Sequence, residues 1–458
     1  RGCRSRAGSR GAAAAMIALA ILAIALFGSG AVAAALPGRS SADTVLGLSL
    51  AIAIGIGAWS SAHAASLLLT GQSGPAKDVL LALAGIALWG CSLRLRSYRP
   101  PSERVSPTPP WLRWFFAVAC LAAAAGFVEH TWRFPDGGWD AWMIWNLRAR
   151  FLARAADFRT AFSPDLLFWA HPDYPWLLPG AVAQGYALIG REAAIVPEAL
   201  AALYGALVVA VVIAGMARLR GLRCGLLAGL AVVTFPVFAT FASNQQADVP
   251  LAVYFAAAIA LVALADERAD HPAGPLVLAG FCAGLGLWTK NEGALYAACI
   301  AAAIAVRRHD VRAVALFCLG ALPCVALLAL FKLKFAPAND LARFSTPATL
   351  LAHALDPARW WEMTYQTLRR VVFFQSFGLW LIGEALALAL WVRKSRASVA
   401  GTAVFLATAA YLPIYILQPH SLQWIFRTSI DRILMQLWPA AVLATVLAIV
   451  PGPATART

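Results

Sequence analysis

The sequence predicts an all-α, polytopic membrane protein. Of its 458 residues, 61% are hydrophobic and only 13% are charged, and the mean hydropathy is +0.71. Apolar runs of roughly 17 to 25 residues recur along almost the whole chain, and each is long enough to cross about 30 Å of hydrocarbon as a helix. This balance excludes a soluble globular enzyme, a disordered chain and a disulfide-stapled secreted scaffold.

The apolar runs predict a bundle of about thirteen transmembrane helices. Residues 1–15 are Arg, Gly, Ala and Ser with one Cys, so we expect translation to start at Met16 or the chain to be a fragment. We divide the chain into N-terminal transmembrane helices with a basic cytoplasmic loop (1–113), a transmembrane module that contains the long polar loops (114–450) and a cytoplasmic tail (451–458). The predicted spans are residues 16–36, 45–69, 79–93, 114–128, 195–216, 222–241, 249–265, 276–288, 294–306, 313–331, 373–391, 399–417 and 433–450.

The basic residues predict the orientation of these spans. Arg and Lys cluster in four short connections, at residues 94–99, 218–223, 307–312 and 393–396. All four lie on one side if there are thirteen spans, and positive loops stay in the cytoplasm. Membrane orientation therefore explains the net charge of +15 better than nucleic-acid binding does. The arginines of residues 1–10 would lie on the opposite side, unless they are not translated or the first run is not a simple span.

Three polar stretches are predicted on the extracytoplasmic side, at residues 129–194, 332–370 and 418–432. The first is the longest interruption of the apolar pattern. Because tryptophan prefers the headgroup level, we expect this loop to carry helices that lie on the membrane surface, including the apolar residues 177–189. It contains six of the seventeen tryptophans, namely Trp132, Trp139, Trp142, Trp145, Trp169 and Trp176.

Asp140 is the first candidate catalytic residue. It stands in GGWDAW, where a helix-favouring run follows two glycines. A carboxylate at the membrane surface, among rings that restrict water, can act as a general base towards an acceptor hydroxyl or amine. The alternative role is to cap the helix that follows, and the two roles are compatible.

The same loop contains HPDYPW, in which two prolines block a helix and favour an extended turn. His171, Asp173 and Tyr174 are hydrogen-bonding groups suited to a sugar or a phosphate. Alternatively, this segment is a rigid loop that Tyr174 and Trp176 anchor in the interface.

A second outer turn reads NQQADVP and contains Asn244, Gln245 and Asp248. Amides and a carboxylate together are typical of carbohydrate sites. Asp248 is therefore the second acidic candidate, with a structural role as the alternative. Asp140 and Asp248 could bind a divalent metal, but the spans contain no HExxH and no His/Cys cluster, so neither a metal nor another cofactor is indicated.

Three cations are candidates for binding a phosphate. Lys290 lies in WTKNEG, where Glu292 could set its position, although a lysine that only reaches towards the headgroups would look the same. Arg427 and Arg432 flank Asp431 at the outer end of the last span and suit a lipid-anchored anion, with ordinary lipid contact as the alternative. Glu384 lies within an apolar run and receives no role.

These motifs, in this order and on one side, resemble the GT-C superfamily of membrane glycosyltransferases. The resemblance is greatest to bacterial protein O-mannosyltransferases and the aminoarabinose transferase of lipid A, and it covers roughly residues 114–449. It rests on GGWDAW, HPDYPWLLP, QQADVPLAVY, WTKNEG and SIDRILMQLWP. Two features depart from the pattern, because Ala141 stands where some members have a second acidic residue and three apparent spans precede the one that leads into the catalytic loop.

The resemblance implies transfer of a sugar from a polyprenyl phosphate carrier to a lipid, glycan or protein acceptor, by one inverting displacement. It implies that Asp140 activates the acceptor and that Asp248 orients acceptor or donor. Lys290, Arg427 and Arg432 would bind the carrier phosphate and stabilise it as it leaves. The remaining candidates for substrate binding are His171, Asp173, Tyr174, Asn244, Gln245 and Glu292.

Two other functions fit a polytopic chain. An O-antigen ligase or polymerase also uses polyprenyl-linked sugars, but generally has its large outer loop late in the chain. A lipid or solute transporter usually has ionisable residues near the midplane and two related halves, whereas the polar residues here gather in outer loops. The alanine-rich composition, with far more Arg than Lys, suggests a GC-rich bacterium, so we expect an inner-membrane protein whose catalytic loops face the periplasm.

Overall fold

The computed structural model describes residues 2–36, 41–94, 107–154, 157–267, 272–339, 343, 345–372 and 398–450. Within these ranges the regular secondary structure is entirely helical, which confirms the predicted fold class. The α-helices are α1 (Gly2–Ala35), α2 (Ser41–Thr70), α3 (Ala76–Arg94), α4 (Pro110–Arg133), α5 (Asn146–Arg154), α6 (Leu167–Ala170), α7 (Leu177–Ile189), α8 (Ile195–Arg220), α9 (Leu222–Val233), α10 (Phe238–Ser243), α11 (Asp248–Glu267), α12 (Ala273–Thr289), α13 (Glu292–Arg308), α14 (Val311–Lys334), α15 (Pro347–Leu355), α16 (Pro357–Val372), α17 (Val399–Leu417) and α18 (Leu422–Ile449).

Nine helices of the described chain are long and apolar enough to cross a membrane, namely α1, α2, α3, α4, α8, α11, α14, α17 and α18. Three other predicted spans coincide with the shorter helices α9, α12 and α13, of 12, 17 and 17 residues. The predicted span at 373–391, with Glu384, lies outside the described residues, as does the basic cluster at 393–396. The structure is therefore that of a multi-pass membrane protein.

Two predicted boundaries differ from the structure. The span at 222–241 is broken into α9 and α10 around Pro236, because a proline has no backbone N–H to continue a helix. The outer stretch at 418–432 is mostly helical instead of a loop. Helix α18 starts at Leu422, where the Ser421 side chain accepts a hydrogen bond from the backbone N–H of Trp424.

Polar contacts join several helix ends at one end of the bundle. Arg218 of α8 pairs with Asp43 of α2 at 2.7 Å, and Arg308 of α13 pairs with Asp266 of α11 at 3.4 Å. Arg220 donates to the carbonyl oxygen of Val450 at 2.7 Å. The basic clusters at 218–223 and 307–312 therefore lie at the same end, as the alternation of spans predicts.

Helix α11 is the centre of the bundle. Every residue from 248 to 265 is buried, and the helix packs against α8, α12 and α18. Tyr254 in this helix donates to the carbonyl oxygen of Ala53 in α2 at 2.9 Å and shares a 2.9 Å hydrogen bond with Tyr204 in α8. The position of α11 matters for function because Asp248 is its first residue.

The first outer loop folds onto the protein. Helix α7 packs against α2 and α5, most of its residues are buried, and its Leu177 carbonyl oxygen accepts a 2.6 Å hydrogen bond from Ser60. Helix α7 is therefore covered by other helices of the protein, and its location at the membrane surface stays a prediction. Trp132 is 82% exposed, but Trp145 and Trp176 are fully buried in the protein and are not free to contact lipid.

Close contact of α12 and α14 depends on two glycines. A Cβ atom on Gly280 would lie 1.9 Å from the carbonyl oxygen of Phe317, and one on Gly320 would lie 1.9 Å from that of Val277. Such distances are far below van der Waals contact. The two backbones can approach this closely only because neither glycine has a side chain.

We expect Gly280→Ala and Gly320→Ala each to lower the free energy of unfolding by about 1–3 kcal/mol, since the added methyl group overpacks the interface. The matched control is Gly90→Ala in α3, where a Cβ atom would meet no atom within 4 Å and where alanine should stabilise the helix by about 0.5–1 kcal/mol. Thermal unfolding in detergent measures both. Equal melting temperatures for Gly280→Ala and Gly90→Ala would contradict this packing.

Candidate active site

A cluster of five charged side chains lies at the end of the bundle opposite the basic contacts. We call Asp140, Asp248, Lys290, Glu292 and Arg432 the ion cluster. Its centre is the fully buried carboxylate of Asp248. Oδ1 of Asp248 accepts hydrogen bonds from Lys290 Nζ at 2.9 Å and from Gln436 Nε2 at 2.5 Å, and Oδ2 lies 3.3 Å from Arg432 Nε.

The ion cluster extends from Asp248 towards the solvent. Nη1 of Arg432 lies 2.6 Å from Asp140 Oδ2, and Lys290 Nζ lies 2.8 Å from Glu292 Oε1. The side chain of Lys290 is only 3% exposed, whereas those of Asp140, Arg432 and Glu292 are 16%, 21% and 24% exposed. The Asp248–Lys290 pair is therefore the inner side of the site, and the other three residues form its accessible side.

The local sequence explains why these residues meet. Asp248 starts α11, Lys290 lies in an extended conformation between α12 and α13, and Glu292 is in the first turn of α13. All three therefore lie at helix starts or in a helix connection at the same end of the bundle. Arg432 reaches them from α18. Burial of a charge is tolerated when the charge is paired and hydrogen-bonded, and each buried member of the ion cluster has at least one partner of opposite sign.

Two glycines bring Asp140 to this site. Gly137 has a φ of 78°, which favours glycine, and Gly138 donates its backbone N–H to the carbonyl oxygen of Asn244 at 3.2 Å. A short π-helix, Ala141–Trp145, follows Asp140, but the carboxylate of Asp140 accepts no hydrogen bond from its backbone. The structure thus places Asp140 in an ion pair with Arg432 instead of in a capping role.

Asn244 and Gln245 connect the first outer loop to the α10–α11 turn. Asn244 Oδ1 lies 2.8 Å from His130 Nε2. The Gln245 side chain accepts from Asn146 Nδ2 at 2.9 Å and donates to the Pro135 carbonyl oxygen at 2.8 Å. Gln245 is 3% exposed and has a φ of 56°. These contacts fix the loop that carries Asp140, and a direct role of either amide in substrate binding stays a prediction.

Asp173 fastens the HPDYPW segment to the bundle. Its Oδ2 accepts from Asn291 Nδ2 at 2.9 Å and lies 3.6 Å from Lys332 Nζ, and Asp173 itself is 2% exposed. The ring of Tyr174 stacks on those of Trp145 and His171, with centroids 5.7 Å and 5.0 Å apart. This geometry agrees with the rigid-loop alternative, and substrate binding by His171, Asp173 and Tyr174 stays a prediction.

A fully buried arginine supports this segment from below. Arg148 donates to the carbonyl oxygen of Tyr174 at 2.7 Å, and its guanidinium lies 5.1 Å from the ring centroid of Trp145. Burial lowers the pKa of Arg148 to about 10, while the nearby charge of Asp173 opposes that shift. Arg148 therefore stays protonated at neutral pH, and its positive charge offsets part of the negative charge of Asp173.

Arg427 does not join the ion cluster in the part of the chain that the structure describes. It is exposed, and it precedes Arg432 by five positions in the same helix. Five residues turn a side chain by about 140° around a helix axis, so the two arginines point to different sides. Among the described residues, no group of three or more His, Cys, Asp or Glu side chains could bind a metal ion.

Comparison with known families favours one class of function. Residues 173–333 match the model of the dolichyl-phosphate-mannose-protein mannosyltransferase family. The match confirms the predicted resemblance to the GT-C superfamily over these residues, and it indicates a membrane glycosyltransferase. No curated protein and no solved structure matches the chain significantly.

The segment that matches the mannosyltransferase family runs from the HPDYPW motif to the end of α14. It contains the inner pair of the ion cluster, Asp248 and Lys290, and one residue of its accessible side, Glu292. Asp140 precedes the segment and Arg432 follows it. The ion cluster therefore joins three residues of the mannosyltransferase-like segment to one residue from each flank.

Sequence reasoning missed Gln436, Asn291 and Arg148. The signal for Gln436 was present, because an amide within an apolar span is itself a candidate functional group, and it follows Arg432 by four residues on the same helix face. The partners of Asn291 and Arg148 come from distant parts of the chain. Nothing in their local sequence indicated Asp173 or the Tyr174 carbonyl oxygen as a partner.

Lys290→Met should destabilise the protein strongly, because it removes the closest cation from the fully buried Asp248 carboxylate. Breaking a buried ion pair typically costs about 3–5 kcal/mol. Thermal unfolding should show that adding Asp248→Asn to Lys290→Met restores part of the loss, since the uncompensated charge is then gone. Lys334→Met, at an exposed lysine near the same end, is the control. A Lys290→Met variant as stable as this control would argue against a buried pair.

Proposed function

We propose that this chain is an integral membrane glycosyltransferase that transfers a sugar from a polyprenyl phosphate donor to an extracytoplasmic acceptor. The observation that carries the proposal is the ion cluster, in which an accessible carboxylate and an accessible guanidinium meet at the outer end of a mannosyltransferase-like segment. This pair has the two groups that the reaction needs, a proton acceptor and an anion-binding cation. The acceptor is a lipid, a glycan or a protein.

The proposed reaction is a single displacement at the anomeric carbon. An acceptor hydroxyl or amine forms a new bond to that carbon and gives its proton to Asp140. The bond from the anomeric carbon to the phosphate oxygen breaks, and the polyprenyl phosphate leaves with the electron pair. Attack from the side opposite the leaving group inverts the anomeric configuration. General-base catalysis of this kind contributes about 10²–10⁴ in rate.

Arg432 is the cation best placed to bind the donor phosphate. A guanidinium has five N–H donors, and the contacts of Arg432 with Asp248 and Asp140 leave others available. It also presents a fork that matches two phosphate oxygens. Lys290 lies behind it and is only 3% exposed, so it supports the positive potential without being the first contact. Both charges would stabilise the phosphate that leaves in the transition state.

Asp140 and the donor phosphate compete for the same arginine. In the structure Oδ2 of the Asp140 carboxylate is paired with Nη1 of Arg432 at 2.6 Å. The phosphodiester of the donor carries one negative charge, and we expect it to compete with this carboxylate for Arg432 and to release it towards the acceptor. Donor binding would then precede activation of the acceptor.

The proposed location is a bacterial inner membrane with the ion cluster facing the periplasm. The contacts of Arg218, Arg220 and Arg308 lie at the opposite end of the bundle, which suits a cytoplasmic surface under the positive-inside rule. A transporter would be expected to have paired charges near the membrane midplane. Asp248 instead lies at the first residue of its helix, so the glycosyltransferase is favoured.

Asp140→Asn should lower sugar transfer by at least about 100-fold, because the amide cannot accept the proton. The binding of the sugar-free carrier, polyprenyl phosphate, should be unchanged or tighter, because the neutral amide competes less for Arg432. Transfer and hydrolysis are measured in detergent with a panel of radiolabelled polyprenyl phosphate sugars.

Asp136→Asn is the control, since this carboxylate lies on the same loop, is 61% exposed and pairs with Arg150. Unchanged turnover in Asp140→Asn would refute the proposed base. A parent protein that turns over none of the donors would refute the transferase and favour a ligase-like enzyme or a carrier.

Arg432→Gln and Arg427→Gln should separate the two arginines. Removal of a charge that stabilises the leaving phosphate typically lowers turnover by about 10²–10³, so Arg432→Gln should show a loss of this size. Arg427→Gln should lose much less, because Arg427 points away from the ion cluster. Turnover and carrier binding are compared in both variants. Equal losses of turnover in the two variants would show that both arginines bind the phosphate or that the phosphate binds elsewhere.

A further inference from the structure

We propose that Gln436 is a positioning residue for this reaction and that Tyr296 and Tyr411 fix its orientation. Gln436 acts on the Asp248 carboxylate, which in turn anchors Lys290 and Arg432. The catalytic consequence of this inference rests on the proposed function. The hydrogen-bond chain itself is a property of the fold and can be tested separately.

Gln436 lies between the ion cluster and the interior of the bundle. It follows Arg432 by four residues on α18, so both side chains project from one face of the helix. Its side chain is fully buried. Nε2 donates to Asp248 Oδ1 at 2.5 Å, and Oε1 accepts from the hydroxyl of Tyr296 at 2.8 Å.

The donors and acceptors of this hydrogen-bond chain can be assigned in only one way. The Asp248 carboxylate accepts hydrogen bonds, so the amide must direct its NH₂ group towards Asp248 and its oxygen towards Tyr296. The single hydroxyl proton of Tyr296 is then donated to Gln436. The Tyr411 hydroxyl, 2.7 Å from that of Tyr296, must therefore donate to Tyr296.

Burial stabilises this arrangement of hydrogen bonds. Gln436, Tyr296 and Tyr411 are 0%, 2% and 7% exposed. Bulk water has little access to any of them, so the loss of one hydroxyl leaves its neighbour without a replacement partner. A flipped Gln436 amide would also place an oxygen against the Asp248 carboxylate, and the hydroxyl of Tyr296 disfavours that flip.

The chain has a specific consequence for Asp248. Lys290 and Gln436 both bind Oδ1, which leaves Oδ2 directed at Arg432. Without Gln436 the carboxylate could rotate, and Arg432 would follow it away from the place where the phosphate leaves. Small displacements of a catalytic charge are sufficient to slow a reaction. Asp248 is thus an electrostatic anchor, and Gln436 sets its rotation.

The first experiment compares transfer kinetics in Gln436→Leu, Tyr296→Phe and Tyr411→Phe. Loss of a hydrogen bond to a charged acceptor corresponds to roughly 10- to 100-fold, and loss of a neutral one to roughly 2- to 10-fold. We expect kcat to fall by these factors in Gln436→Leu and Tyr296→Phe, and by less in Tyr411→Phe. The KM for the polyprenyl phosphate sugar should change less than kcat, because Arg432 itself is still present.

Tyr204→Phe is the matched control. Tyr204 is fully buried and shares a 2.9 Å hydrogen bond with Tyr254, another pair of buried tyrosines in the bundle. Its loss should leave kcat within about twofold of the parent value. Equal losses of kcat in Tyr204→Phe and Tyr296→Phe would overturn the proposal, because general loosening of the bundle would then explain both. An unchanged kcat in both Tyr296→Phe and Gln436→Leu would also overturn it.

A second experiment does not depend on transferase activity. A double-mutant cycle in thermal unfolding compares Tyr296→Phe, Asp248→Asn and the double variant, first in the parent and then with Gln436→Leu added. Tyr296 and Asp248 are connected through Gln436, so we expect a coupling of about twofold or more in the unfolding equilibrium that disappears with Gln436→Leu.

The outcomes of the two experiments distinguish the two ideas. Additive effects of Tyr296→Phe and Asp248→Asn in the parent would overturn the hydrogen-bond chain, whatever the activity. Coupling in a parent protein that transfers no sugar would support the chain and overturn the proposed function. Coupling together with the graded loss of kcat supports both.

Discussion

Asp248 imposes the strongest constraint on this structure. Its carboxylate is fully buried at the start of the most buried helix, and a charge in that position must be neutralised. Lys290 from the α12–α13 turn and Arg432 from α18 supply the charge, and Gln436 supplies a further donor. Two separate parts of the chain, the α12–α13 turn and α18, therefore have to converge on α11. Asp140 reaches the same place through Arg432, so the first outer loop depends on this carboxylate as well.

Polar contacts and small residues matter here because apolar surface does not distinguish one helix partner from another within lipid. A leucine is as stable against a lipid tail as against another leucine. The register of the helices is instead set by the buried tyrosine pairs, by the ion cluster, and by the glycines that let α12 and α14 touch. The same groups that form the candidate site thus also determine how the bundle is assembled.

The fold was largely predictable, because the length of an apolar run is a local property of the sequence. The alternation of spans also predicted that Asp140, Asp248, Lys290 and Arg432 share one end, and the structure brings them together. Contacts and burial that depend on tertiary packing were not predictable from the sequence. Examples are the burial of Trp145 and Trp176, the amide contacts of Gln245, and the clamp between Asp173 and Asn291. Arg427 is the clearest example. It precedes Arg432 by five residues in the sequence, but the turn of the helix directs the two side chains to different sides.

The ion cluster crosses both boundaries of the mannosyltransferase-like segment. Residues 173–333 supply the inner pair of Asp248 and Lys290, whereas the flanks supply Asp140 and Arg432. This segment therefore does not contain the whole ion cluster. Grafted alone into another chain, it would have a buried charge without its second cation and would lack two of the three accessible residues, Asp140 and Arg432. Exchange of the flanks, by contrast, would alter the groups that we propose to meet donor and acceptor while the buried pair is retained, so chimaeras should be joined outside Asp140 and Arg432.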